Sequence, residues 1–244
     1  MSGLELLFLG SGSGFAPGGR YYSSFLINGR YLFDAGPTSL VHLKRAGVNP
    51  HDVDAVFISH FHADHFFGLP LLLLDYVDHA PRERELTIVG PPGIEARLRA
   101  LLEIGLPGMV TRAWPFAVRY QEAADGVAAE AAGLPYVARR VAHSEHLESF
   151  GYRVDVGGRA LAYSGDSGLC DALVALGQGA VVFVLECSNW EAPPKYHMGL
   201  ADIRELRRRL GPEPAFVLTH LDAGTRDIDV ENTVLAEEFG KFSF

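Results

Sequence analysis

His60-Phe61-His62-Ala63-Asp64-His65 is the stretch on which the reading of this chain turns. Three imidazoles and a carboxylate stand together, directly after the apolar run Ala55-Val56-Phe57-Ile58. Zinc, manganese and iron(II) favour this mixture of nitrogen and oxygen donors, and four such groups on one loop can address two cations at once. A polar loop that merely happens to be rich in histidine is the plain alternative. Such a loop has no reason to show this order together with a matched set of distant partners.

The partners lie at the ends of other apolar runs. Asp166 follows Leu161-Ala162-Tyr163, Glu186 closes Val182-Phe183-Val184-Leu185, and His220 comes after Phe216-Val217-Leu218. Ligands at strand ends are held by a rigid sheet yet face an open edge, which suits a catalytic metal centre. Around them, strands and helices alternate without a low-complexity linker or an obvious repeat. Strands are expected at Leu4–Leu9, Tyr22–Ile27, Tyr31–Phe33, Ala55–Ser59, Leu86–Val89, Tyr136–Ala142, Tyr152–Val156, Ala160–Tyr163, Val181–Glu186 and Ala215–Thr219. Helical spacing covers Thr38–Ala46, Leu69–Tyr76, Ile94–Glu103, Leu169–Leu176 and Leu200–Leu210. Asn28-Gly29 reads as a tight hairpin turn, and Gly47 as a helix stop.

Composition narrows the function classes. Thirty acids against 21 bases give a formal charge of −9, which argues against broad electrostatic capture of nucleic acid. Two bound divalent cations would offset part of that charge inside one cleft. Only Cys170 and Cys187 are present, without a CxxC spacing, so they read as inert thiols in or near the core. The apolar run near Leu69–Leu74 is far below a membrane span, and the first residues lack a leader pattern; a cytoplasmic protein is expected. The length suits one domain spanning residues 1–244.

The ordered motifs carry a resemblance. His60 to His65, followed by Phe66-Phe67-Gly68-Leu69-Pro70, resembles the signature of the metallo-β-lactamase fold superfamily, and more narrowly its ribonuclease Z-like phosphodiesterase branch. Phe33-Asp34-Ala35-Gly36-Pro37, Ala142-His143-Ser144, Phe150-Gly151-Tyr152-Arg153, Ser164-Gly165-Asp166 and Leu218-Thr219-His220 follow in the expected order. The resemblance implies an α/β (α+β) fold, a four-layer αβ/βα sandwich with metals along one edge. It implies that His60, His62 and His143 bind one metal, that Asp64, His65 and His220 bind a second, and that Asp166 bridges them. His146 is the competitor for His143, but His143 is the residue that ends the run Val137–Ala142 and precedes Ser144. Asp34 is expected to cap its turn and to orient a ligand histidine.

Two divalent ions, zinc by donor type with manganese or iron(II) as alternatives, would share an activated hydroxide as nucleophile and offset charge on the scissile group. Asp64, Glu186 and His197 are the catalytic candidates; the last two resemble a glutamate and a histidine that assist at the scissile phosphate in ribonuclease Z-like proteins. Ser11, Ser13 and Ser164 read as loop residues, and the 10–14 loop as a glycine-rich turn beside the cleft. Ribonuclease Z proper carries a long arm for transfer RNA between its middle histidine and bridging aspartate. Here only residues 144–165 lie there, which leaves no room for such an arm. A small-molecule or short nucleotide substrate, a phosphodiester, is therefore expected, with no membrane and no extended nucleic-acid surface. The alternatives are a lactone or thioester hydrolase using Tyr21, Tyr22 or Tyr163, a ribonuclease Z-type endonuclease without the arm, and a metal-binding protein without catalysis. A flavodiiron-type redox protein is disfavoured, since glutamate is usual where His62 stands. Arg204, Arg207, Arg208 and Arg209 are expected on a solvated face. Trp114 and Phe116 are candidates for a lid or dimer contact, and relatives of this kind are often homodimers.

Overall fold

A computed structural model describes residues 3–79, 82–190, 195–223 and 228–244. Its strands are β1 (Glu5–Gly10), β2 (Ser24–Ile27), β3 (Tyr31–Phe33), β4 (Ala55–Phe57), β5 (Leu86–Gly90), β6 (Val118–Glu122) and β7 (Ala128–Ala131), then β8 (Leu134–Arg140), β9 (Phe150–Val156), β10 (Arg159–Tyr163), β11 (Val182–Glu186), β12 (Ala215–Thr219), β13 (Thr233–Leu235) and β14 (Lys241–Ser243). They form two seven-stranded sheets, ordered β14-β1-β2-β3-β4-β5-β6 and β13-β12-β11-β10-β9-β8-β7. Helices α1 (Ser39–Arg45), α2 (Ala63–Phe66), α3 (Leu69–Leu74) and α4 (Ile94–Gly105) belong with the first sheet, and α5 (Asp171–Gly177) and α6 (Leu200–Leu210) with the second. The expected four-layer αβ/βα sandwich is what the chain forms.

The two sheets repeat one pairing pattern. In the first, β14, β1, β2 and β3 pair antiparallel, whereas β3, β4, β5 and β6 pair parallel. In the second, β7 to β10 pair antiparallel and β10 to β13 parallel. Parallel strands deliver all their C-terminal ends to one edge, where their connections open a crevice. That geometry brings residues distant in sequence to one place.

Alternation along the strands explains the layers. Phe25, Phe33 and Phe57 turn inward from β2, β3 and β4, with ring centroids 4.9 and 4.7 Å apart in stacked pairs. Tyr152 and Tyr163 from the other sheet meet Phe33 edge-on. Such pairs add about 0.5–1.5 kcal/mol each beyond simple burial. The outward set, including Leu26, Leu32, Val56 and Ile88, packs under Leu43, Leu69, Leu72, Leu73, Leu98 and Leu102 of the covering helices. Phe183, Leu185, Phe216 and Leu218 do the same beneath Leu173, Ile203 and Leu206.

Several local expectations hold. Asn28 and Gly29 take φ of 49° and 67°, the left-handed pair a tight hairpin demands, and Gly47 ends α1 at φ 73°. The expected helix after the histidine motif is broken into α2 and α3. Gly68 between them lies so close to Gly36 that a Cβ would sit 2.0 Å from the Gly36 carbonyl oxygen. Two expectations need correction. Arg207 is buried on the packed face of α6, donates to the carbonyls of Gly211, Pro212, Pro214 and Asn232, and lies over the Phe216 ring; only Arg204, Arg208 and Arg209 remain in surface ion pairs. Phe116 is buried in the core outside the first sheet, with Trp114 packed against it, so neither forms a lid.

Candidate metal centre

Every expected site residue arrives at the edge where the parallel strands end. His60, His62, Asp64 and His65 follow β4, Asp166 follows β10, Glu186 ends β11 and His220 follows β12. His143 comes instead from the loop after the antiparallel strand β8. Donor atoms of His60, His62, His143 and Asp166 converge within 4.8 Å of one another, as do those of Asp64, His65 and His220. A third such group is Asp166, His197 and His220. His146 is exposed and outside these groups, whereas His143 is buried and within the first of them.

Distances give the two halves of the site. His62 Nδ1 stands 2.9 Å from His60 Nε2 and 3.1 Å from His143 Nε2. Asp166 Oδ2 lies 3.8 Å from His60 Nε2, 3.5 Å from His65 Nε2 and 3.2 Å from His220 Nε2. Asp64 Oδ2 lies 3.2 Å from His65 Nε2 and 3.5 Å from His220 Nε2. Asp166 thus faces both groups.

The hydrogen bonds behind the rings assign their tautomers. Asp34 Oδ2 accepts from His65 Nδ1 at 2.7 Å and from Ser59 Oγ at 2.8 Å. The Ser59 hydroxyl, having donated to Asp34, accepts from His60 Nδ1 at 2.9 Å. His143 Nδ1 donates to the Tyr196 carbonyl at 3.1 Å. Ser188 Oγ donates to Glu186 Oε2 at 2.9 Å and accepts from His220 Nδ1 at 2.7 Å. All four imidazoles therefore present an Nε2 lone pair to the common centre, the arrangement metal-binding histidines show. The expected orienting role of Asp34 takes this form with His65.

Whether a cation fits can be judged from what lacks a partner. His65 Nε2, His220 Nε2 and Asp166 Oδ1 are buried without a hydrogen bond. Buried polar atoms are nearly always paired, so three orphans on these neighbouring side chains call for a further partner, which a cation can be. His62 Nδ1 stands within reach of both His60 Nε2 and His143 Nε2, so the three nitrogens converge on one place. The set fits divalent metal.

Burial pushes His60 well below the ordinary imidazole value, with the neighbouring His65 charge adding to it; burial lowers His62 and His143 too. Those three keep lone pairs free under mildly acidic conditions. For Asp64 and Asp166 burial works upward, but the surrounding histidines outweigh it and hold both carboxylates ionised. Burial also opposes the charge on His65, but Asp166, Asp34 and Asp64 outweigh it and raise its pKa well above the usual value, so its Nε2 lone pair is free only where a cation replaces the proton.

Beside this centre, His197 donates from Nδ1 to Glu186 Oε1 at 2.8 Å. Glu186 also accepts from the amides of Ser167 and Ser188. A cleft of about 380 Å³ opens over the site, lined by Ser13, Gly14, Phe15 and Asn189 together with His62, Asp64, Asp166 and His197. The glycine-rich loop spends the amides of Gly12 and Ser13 on the Tyr21 and Leu221 carbonyls, so those two do not cradle an anion. Ser164 Oγ is committed to the Gly165 carbonyl. The Tyr163 hydroxyl is buried and donates to Asp34, so it is not free for an acyl oxygen. No helix among the described residues is long and apolar enough to cross a membrane. Ser59 and Ser188 are supporting residues that the sequence reading passed over, and Tyr163, considered there only as a donor to an acyl oxygen, supports Asp34 instead. Their signal was adjacency: a serine directly before His60, and another two places after Glu186.

Known proteins supply the comparison. Ribonuclease Z of Geobacillus kaustophilus is 27% identical over 315 aligned positions, covering 98% of this chain and 99% of that one. Ribonuclease BN of Escherichia coli O7:K1 is 31% identical over 276 positions, with 90% of each covered. The crystal structure of the short form of human tRNase Z superposes with a TM-score of 0.79 at 22% identity, covering 98% of both chains. A family profile described as "Beta-lactamase superfamily domain" matches residues 29–221. With the sandwich and the two convergent donor groups, that match makes this chain a member of the metallo-β-lactamase superfamily, with relatives of the ribonuclease Z and phosphodiesterase kind.

Proposed function

We propose that residues 1–244 act as one domain, a dinuclear zinc hydrolase that cleaves a small or flexible phosphodiester. His60, His62 and His143 would hold one ion and Asp64, His65 and His220 the other, with Asp166 between them. The observation that carries this reading is the pair of donor groups facing a shared, unpartnered carboxylate. Zinc follows from an all-histidine and carboxylate donor set. Bound there, the cations would activate water and neutralise charge at the scissile phosphate.

The chain's own residues do the rest. Asp34 and Glu186 lock the ligand rings through Ser59 and Ser188, so little reorganisation is needed when substrate enters. His197 lines the cleft and is the proton donor to the leaving oxygen. Burial works to lower its pKa, but the hydrogen bond and charge of Glu186 outweigh that and hold it above the usual imidazole value. A histidine so held keeps its proton to higher pH than a free imidazole does, as a general acid requires. The alignment of 315 positions against a chain of 244 means that the Geobacillus relative carries insertions this chain lacks. Between His143 and Asp166 the chain is the plain β9–β10 hairpin, which supports a substrate smaller than transfer RNA.

Two free thiols agree with a reducing cytoplasm, and exposed Val41 and Leu71 on α1 and α3 support a homodimer. Protein reconstituted with zinc should hydrolyse bis(p-nitrophenyl) phosphate and lose that activity to a chelator. Turnover of lactones or thioesters with none of any phosphodiester would overturn the proposal.

A further inference from the structure

One side chain in the cleft is explained neither by packing nor by the metal centre. Phe15 is 95% exposed, more than any other large hydrophobic side chain among the described residues, yet it lines the same cleft as His62, Asp64 and His220. A solvated phenyl ring gains nothing from the fold that carries it.

The backbone that carries the ring is nevertheless held in place. Ser13 to Ala16 form a turn closed by the Ala16 amide on the Ser13 carbonyl at 2.9 Å, with Phe15 at its tip. Below the tip, Ser13 donates its amide to the Leu221 carbonyl next to His220. Gly14 lies so near the centre that a Cβ there would sit 2.8 Å from Asp64 Oδ2. The tip is thus tied by a backbone hydrogen bond to the segment that carries His220 and lies close against Asp64.

Charge says what such a ring would meet. Among the described residues lining the cleft there is no lysine or arginine, whereas Asp64, Asp166 and Asp222 are acids. Beyond the reacting phosphate, those described residues offer a ligand no lysine or arginine to pair with. A flat, uncharged group can be recognised, because aromatic faces stack without needing charge. Asn189 and Asp222 add polar groups able to meet hydroxyl or amino edges.

We propose that Phe15 determines specificity by stacking on a nucleobase carried on one side of the phosphodiester. The proposal rests on the phosphodiesterase reading of this cleft. Stacking on a π-face discriminates poorly among bases, so the preference is for a nucleoside over a bare sugar or alkyl group.

The test compares AMP with ribose 5-phosphate, which share phosphate and sugar and differ in the base, by calorimetry on zinc-loaded protein. AMP should bind about tenfold more tightly. Phe15→Ala should erase that advantage without changing ribose 5-phosphate affinity, metal content or Tm, and Phe15→Trp should keep it. Equal affinities in the unmodified protein, an advantage that survives Phe15→Ala, or no measurable AMP binding would each overturn the proposal. A kinetic arm uses thymidine 5′-p-nitrophenyl phosphate and methyl p-nitrophenyl phosphate, which release the same leaving group. Phe15→Ala should raise KM about tenfold for the nucleoside ester alone, with kcat little changed. If neither ester is turned over but the base advantage persists, the phosphodiesterase reading fails and the stacking role stands. If both are turned over without a base advantage, the stacking role fails alone.

Discussion

Asp34 and Glu186 are two buried carboxylates doing similar work at the ends of opposite sheets, and they are finished differently. Asp34 follows β3 and accepts from the Ser59 amide, the Ser59 hydroxyl, His65 and the Tyr163 hydroxyl. All of these donors are buried, and Tyr163 reaches across from the other sheet. Glu186 accepts from the amides of Ser167 and Ser188, the Ser188 hydroxyl and His197. His197 keeps a quarter of its side chain exposed to the cleft. The first network is closed and can only hold; the second has an outlet through which a proton can pass.

Removing what both networks serve should cost most. Asp166→Ala takes away the carboxylate that faces both donor groups, and kcat/KM for a phosphodiester should fall on the order of a thousandfold or more, with metal content reduced. Full metal content with unchanged turnover would break the assignment.

Asp34→Ala should come next and should act through stability and metal together. Four buried donors lose their acceptor, a loss of about 3–5 kcal/mol, and metal affinity should drop about 10- to 100-fold as His65 and His60 lose their support. Thermal melting and metal analysis of the purified variant read both.

Glu186→Gln should instead act on turnover, with kcat down roughly a hundredfold and metal loss smaller than in Asp34→Ala. Its signature lies in pH. Glu186 holds His197 above the ordinary imidazole value, and a general acid works only while protonated, so activity declines as pH rises through that raised value. Without the carboxylate charge the alkaline limb of the kcat profile should move to lower pH. A limb that stays in place would remove His197 from the proton-donor role.

The smallest effect tests the bridge between the sheets. Tyr163→Phe deletes one of the four donors to Asp34 and should cost about 1 kcal/mol, a drop of a few degrees in Tm, with the alkaline limb unmoved.

Much of this arrangement could be read from the chain, because the ligand residues stand directly at the ends of apolar runs. A run such as Val182–Leu185 announces a buried strand, and the polar residue that stops it must lie at the sheet edge. The edge strands β6, β7, β13 and β14 gave no such signal. Val118–Glu122 is half-buried and mostly polar and Ala128–Ala131 is largely exposed and alanine-rich, so their pairing is decided by a neighbour and not by their own pattern. Arg207 was misplaced for the opposite reason. It shares the helical face of Leu200, Ile203 and Leu206, but its charge outweighed its position, and only the structure shows the carbonyls that receive it. Ser59 and Ser188 were hidden in plain view, since a serine announces nothing until the ring behind it is placed. Phe15 was lost among the glycines around it.

The donor groups draw on both sheets: His60 to His65 from one, and His143, Asp166 and His220 from the other. An ion gripped by both would act as a rivet through the sandwich, so that only the loaded form resists prying apart. Withholding divalent metal should then shorten the protein's half-life against proteolysis as well as slow its turnover. Its abundance would become a record of how well the cell is supplied.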